Sequence, residues 1–102
     1  MFDFQRIQKE CFWDAAINEK SFYDIIDSQD MKKKQYLFEK ILLNSTKMLK
    51  DLENFDRDEL KTLLENINIS NFNKAHTLRR KNIAEVYFFD KELQIDELKW
   101  VA

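Results

Sequence analysis

The chain has neither Gly nor Pro among its 102 residues. Tight hairpin turns need backbone at φ > 0, and Gly is the residue that goes there without steric cost. A sandwich or barrel rich in hairpins is therefore disfavoured. A Gly-rich phosphate-binding loop is excluded outright. What remains is a set of helices joined by Asn, Asp and Ser turns. Hydrophobic residues make up 44% of the chain, with nine Phe, three Tyr and two Trp. That is too much apolar material for a disordered polymer. The expectation is all-α: residues 1–102 as a single helical domain, a compact bundle of about five helices, with a helix-turn-helix-like unit in the C-terminal half.

Periodicity and capping signals place the helices. Phe4, Ile7, Cys11 and Ala15 recur at helical spacing, which predicts a helix from about Asp3 to Ile17. Asn18 to Lys20 read as its break. Ser21 followed by Asp24 resembles a capping box, so residues 21–27 are expected to form a short helical turn. A second long helix is expected from about Asp30 to Leu43, with Tyr36, Leu37, Phe38 and Ile41 inward. A third is expected from about Ser45 to Phe55, through Met48, Leu49 and Leu52. Asp56 and Glu59 form a further capping box, opening a helix with Leu60, Leu63, Leu64 and Ile67. The Asn-rich stretch 68–73 suits a left-handed turn where Gly is lacking. The last long helix is expected over about Asn73 to Lys91. Its stripe would comprise Ala75, Leu78, Ile83, Val86, Tyr87 and Leu93, despite the β-propensity of Val86-Tyr87-Phe88-Phe89. A short terminal element is expected at residues 95–100. Leu49, Leu52, Leu63 and Ile83 are the positions expected to be buried.

Net charge is −2, so no global field draws the chain to nucleic acid. The charges nevertheless come in blocks. Acids dominate residues 1–30 and 51–69, and bases dominate 31–50 and 70–81. Two basic clusters follow from this, Lys32-Lys33-Lys34 and the group Lys74, His76, Arg79, Arg80 and Lys81. Each stands in the first turns of an expected helix, where positive charge opposes the helix dipole. The bland reading is a solvated helix face. The functional reading is contact with phosphates or with an acidic partner. A helix-turn-helix over residues 57–89 would lay Arg79 and Arg80 near a major groove.

No catalytic constellation stands out. His76 is the only His, and Cys11 its only soft companion, so no Zn site can be built and no metal or cofactor is expected. Cys11 lies on the expected core face and reads as a buried, inert thiol. The acids at Asp56, Asp58 and Glu59 are better explained by capping and the dipole. The expectation is that this is not an enzyme. A lone Cys suits a reducing compartment, the opening MFDFQRIQ does not resemble a secretory signal, and no run approaches the ~20 apolar residues of a membrane span. A cytoplasmic location is expected.

Phe12-Trp13-Asp14 is the triplet that points outward. Two adjacent large aromatics cannot both enter one core, and Trp13 is assigned to another face. Trp is enriched at interface hot spots. The competing reading has the segment 21–27 folding back over it.

The blocks CFWDAA (11–16), YLFEKILLN (36–44), LENFDRDELKTLL (52–64) and LRRKNIAEVYFF (78–89) together resemble a family of small bacterial proteins often encoded beside AbiEii-type nucleotidyltransferase toxins. Phe12-Trp13-Asp14 carries most of the likeness. Lys40, Asn44 and Glu85-Val86 depart from that family's usual Arg, Gly and Phe-Trp pair. The resemblance implies an antitoxin, a non-catalytic protein-binding module that neutralises a toxin enzyme by direct contact and can also repress its own operon. Partner contact would then fall on Phe12, Trp13 and Asp14. Two alternatives stand beside it: a DNA-binding transcriptional regulator using residues 57–89, and a phage-type inhibitor of another host protein. The sequence leaves the oligomeric state open.

Overall fold

A computed structural model describes residues 2–13, 17–68 and 74–91. Six α-helices and no strand occur among them: α1 (Phe4–Cys11), α2 (Glu19–Asp27), α3 (Met31–Asn44), α4 (Met48–Leu52), α5 (Arg57–Glu65) and α6 (Lys74–Phe89). The fold class is all-α, as the composition requires. The chain divides into two units, Met1–Ile67 and Asn68–Ala102. The expected terminal element and most of the Asn-rich turn lie outside the described residues.

Four helices of the first unit start on a short polar side chain that accepts from an otherwise orphaned backbone N–H. Asp3 Oδ1 takes Arg6 N at 3.4 Å, Asn18 Oδ1 takes Ser21 N at 2.8 Å, Asp30 Oδ1 takes Lys33 N at 3.2 Å, and Asp56 Oδ2 takes Glu59 N at 3.2 Å. Asn18 is thus a cap rather than a break, and Ser21 lies inside α2. The box at Asp56 is only half closed, because the Glu59 carboxylate turns to Lys34 instead of the cap N–H. The helix expected over Asp3 to Ile17 ends at Cys11. There the chain swings Phe12 inward, and Gln8 Nε2 donates to the Ile17 carbonyl at 2.9 Å across the bend. The helix expected from Ser45 is also shorter, because Ser45 stays in the turn, its hydroxyl accepting Lys47 N at 3.0 Å.

Helix α3 organises the first unit, packing against α1, α2, α4 and α5. Its inner face supplies Leu37, Phe38, Ile41 and Leu42, all withdrawn from solvent. Phe22 of α2 is the hub of an aromatic cluster, with Phe2, Phe4 and Tyr23 centred 5.1, 5.4 and 5.4 Å from it. Phe55 links Phe2 at 5.4 Å to Phe38 at 6.0 Å. Most of these pairs are edge-to-face, the favoured geometry for rings whose faces are negative and edges positive. Leu52, Leu60, Leu63 and Leu64 complete the core, whereas Leu49 is only half-buried.

In the second unit α6 is confirmed as helix through Val86-Tyr87-Phe88-Phe89. It ends at Asp90, whose φ of 53° lies in the left-handed region. Asp is among the few residues besides Gly that tolerate it. Asp90 N closes the last α-helical bond, to Val86 O at 3.2 Å, and the reversal at Asp90 then lets Lys91 N reach Glu85 O at 3.4 Å. The expected stripe is not withdrawn from solvent as a unit: Val86 is half-buried, and Leu93 lies outside the described residues. Leu78 is 40% exposed and Tyr87 55% exposed, Ala75 is exposed and Ile83 half-buried, while Thr77, Asn82 and Ala84 are buried. Thr77 and Ala84 sit about half a turn round the helix from the centre of that stripe, whereas Asn82 lies within its arc.

Candidate protein-docking surface

The turn after α1 separates two neighbouring aromatics. Phe12 is 2% exposed and Trp13 is 66% exposed. The Phe12 ring packs 6.4 Å from Phe22 and 6.3 Å from Tyr36. It therefore anchors the turn, and Trp13 is carried on that anchor into solvent. The expected split between the pair is observed, and segment 21–27 does not bury Trp13. Asp14, the third member of the triplet, lies outside the described residues.

Trp13 is not isolated. Lys40 of α3 holds its ammonium 5.7 Å from the centre of the Trp13 ring and 5.8 Å from that of Tyr36. A cation within about 6 Å of a ring face is attracted by the ring quadrupole. Tyr36 was expected inward, but it is 49% exposed. It stands on the side of α3 opposite Phe38, and its outer position completes a Trp13–Lys40–Tyr36 group. Such a group combines wide apolar area with fixed geometry, the properties of a protein-interface anchor.

The basic cluster at the start of α3 divides. Lys32 and Lys33 are exposed. Lys34 is 3% exposed, and its Nζ lies 2.7 Å from Glu59 Oε1 on α5. Lys34 is therefore a structural tie between two helices and is withdrawn from the proposed contact set. On α6, Lys74, His76 and Arg79 are exposed and Arg80 is half-buried. Lys81 Nζ is paired with Glu85 at 3.3 Å, and Lys91 Nζ approaches the same carboxylate at 3.8 Å.

A polar network that sequence reading missed joins α1 to α4. The Arg6 guanidinium pairs with buried Asp51, donates to Glu10 Oε1 at 2.8 Å and reaches Ser45 Oγ at 3.3 Å. The Ser45 hydroxyl in turn donates to Asp51. Asp51 raises the Arg6 pKa still further above its already high ordinary value. Glu10 also accepts from the Thr46 hydroxyl at 2.6 Å and from Thr46 N at 3.1 Å. Those two bonds, then Arg6, hold the Glu10 carboxyl below the usual carboxylate range. The one signal available beforehand was an acid at Asp51 between the apolar Met48 and Leu52, on the buried side of a helix. Arg6 Nε is buried without a hydrogen bond and lies 3.6 Å from Asp3 Oδ2. A shallow hollow of about 210 Å³ beside this network is lined by Asp3, Arg6, Lys47, Lys50, Asp51 and other polar side chains. It lacks the apolar walls of a small-molecule site.

Among the described residues no three His, Cys, Asp or Glu side chains converge as a metal set, and no helix is long and apolar enough to cross a membrane. The chain matches no family model, no curated protein and no solved structure.

Proposed function

We propose that this chain is a non-catalytic protein-binding module that inhibits a partner enzyme by direct contact, as an antitoxin does. The observation that carries this reading is the exposure of Trp13 beside a buried, rigid Phe12, with Lys40 and Tyr36 fixing its surroundings. An exposed indole grouped with Tyr36 and Lys40 adds little to the stability of its own fold, and Trp is enriched among the residues that anchor protein interfaces. The likeness of Phe12-Trp13-Asp14 and the later blocks to proteins encoded beside nucleotidyltransferase toxins supports a toxin enzyme as that partner.

The test is co-expression with the product of the adjacent gene in a host whose growth that product arrests. The wild-type chain should restore growth and co-purify with the enzyme. Trp13→Ala should do neither while remaining folded by circular dichroism. Equal rescue by Trp13→Ala would remove the surface from the mechanism. A regulator would instead bind the duplex upstream of its own gene, with an affinity falling steeply as salt rises, and would lose that binding on Arg79→Glu.

A further inference from the structure

Resting on the docking reading above, we infer that Glu10 and Thr46 are positioning residues of the docking surface: their contact fixes α1 against the end of α3 and so sets where Trp13 stands relative to Tyr36.

The two exposed rings come from different elements. Trp13 follows the end of α1, and Tyr36 lies within α3. Their mutual geometry is therefore the geometry of α1 on α3. Ile7 and Cys11 of α1, with Phe12 after it, are buried in the core. Apolar burial is non-directional, so it fixes the area covered better than the register. Hydrogen bonds weaken steeply with angle, and they fix register.

The directional contacts gather at one place. Helix α3 is capped at its C-terminal end by Ser45, and Thr46 follows. Glu10, in the last turn of α1, accepts from the Thr46 hydroxyl at 2.6 Å and from Thr46 N at 3.1 Å. Arg6, one turn earlier, donates to the same carboxylate at 2.8 Å and to Ser45 Oγ at 3.3 Å. One carboxylate thus gathers donors from α1 and from the residue just beyond α3. The apolar foot lies elsewhere on α3, where the Phe12 ring packs 6.3 Å from Tyr36. Two separated points of attachment stop α1 from sliding or rolling on its neighbour.

This clasp lies at the surface. Thr46 is exposed, and the Glu10 side chain keeps 22% of its area in water. Bonds so close to water contribute modestly to folding. Their larger effect falls on preorganisation. A surface that holds its binding arrangement only part of the time has its affinity reduced by that fraction.

The experiment uses the full chain carrying Trp100→Phe, which leaves Trp13 as its one indole. Time-resolved fluorescence anisotropy of Trp13 is compared between this parent and its Thr46→Val, Thr46→Ser and Glu10→Ala variants. Affinity for the product of the adjacent gene is measured on the same chains and on Trp13→Ala. Thr46→Val and Glu10→Ala should each give Trp13 a fast local motion that the parent lacks. Each should weaken binding about five- to tenfold, as when the competent arrangement falls to about a fifth to a tenth of the population. Thr46→Ser keeps the hydroxyl and should restore both readings. Unchanged anisotropy in folded Thr46→Val and Glu10→Ala would overturn the positioning role, whatever the affinities. Weaker binding by Thr46→Val without added motion would also overturn it, since Thr46 would then touch the partner itself. Added motion with undiminished affinity, while Trp13→Ala abolishes binding, would leave the docking surface standing and remove the clasp from it. If Thr46→Val fails to fold, Glu10→Ala decides. If Trp13→Ala binds as well as the parent, the docking reading fails, and the positioning role falls with it.

Discussion

Lys34 Nζ and Glu59 Oε1 lie 2.7 Å apart, joining α3 to α5 from a lysine that is 3% exposed. The two partners are unequal, since Glu59 keeps about a third of its side chain in water. Replacing Glu59 by Gln leaves a buried ammonium without its counter-charge. Breaking a buried pair in this way costs about 3–5 kcal/mol, and the exposure of Glu59 brings the expected loss nearer 1–3 kcal/mol. Lys34→Met removes the charge and keeps the volume, so it should cost less than Glu59→Gln or even stabilise. Urea denaturation of the two variants checks the order. A Lys34→Met chain much weaker than Glu59→Gln would show that the ion pair itself, rather than burial of the charge, sets the cost.

Phe12 and Trp13 offer the sharpest contrast in the chain, being adjacent in sequence and opposite in environment. Phe12→Ala removes a ring packed against Phe22 and Tyr36 and should cost about 3–5 kcal/mol. Trp13→Ala removes a ring mostly in water and should change stability by about half a kcal/mol or little more, including the cation contact with Lys40. Chemical denaturation of both variants measures the difference. A Trp13→Ala loss comparable to that of Phe12→Ala would make Trp13 a core residue and withdraw it as a docking anchor.

The features legible in the sequence are the local ones. Asp3, Asp30 and Asp56 announce helix starts because a cap is decided within three residues. The absence of Gly and Pro removed the competing fold classes before any helix was placed. Asn18 reads as a break because a short amide that caps a helix also suits the end of one, and α1 in fact ends at Cys11. Lys34 is indistinguishable in the sequence from its exposed neighbours because its partner Glu59 is 25 residues away. The buried positions of α6 are not legible for a different reason. The residues Ala75, Leu78, Ile83, Val86 and Tyr87 span about half its circumference, so a 3.6-residue period selects no single face. Small Thr77 and Ala84, seven apart, are withdrawn from solvent on one side, and Asn82 is withdrawn on the other. Of the candidate site, the division between Phe12 and Trp13 was legible from size alone. The outward turn of Tyr36 and the shared Lys40 were not, because they depend on where α1 ends.

The Glu10 carboxyl should make stability depend on pH in a way that one substitution can isolate. Bonds from the Thr46 hydroxyl and N–H, then Arg6, depress its pKa below the ordinary 4.5 in the folded chain. A group depressed in the folded state binds fewer protons there than in the unfolded state, so its contribution is present above pH 4.5 and is lost as pH falls through the folded value. Wild type should therefore lose more stability than Glu10→Gln as pH is lowered from neutrality through that window. Parallel melting curves across the acid range measure it. Identical pH slopes for the two chains would show that Glu10 has the same proton affinity folded and unfolded.

On α6, charge reversal should separate two cations that sequence alone treats alike. Arg79 is exposed, whereas Lys81 is half-buried and shares Glu85 with Lys91 at 3.3 and 3.8 Å. Glu85 is itself largely covered, with 12% of its side chain exposed. Reversing Lys81 to Glu sets two carboxylates one helical turn apart, near the C-terminal half of the helix where negative charge is already disfavoured. The lost pair and the new repulsion should together cost on the order of 1 kcal/mol. Arg79→Glu should stay within about half a kcal/mol, the usual range for exposed positions. It also moves an acid toward the start of the helix, where the dipole favours it. Thermal melts of the two single variants at low and high salt test both parts. Lys81→Glu should regain part of its loss as salt screens the new repulsion. If Arg79→Glu is the more damaging of the two, then the front of α6 is held by Arg79, and it cannot be reserved for a partner.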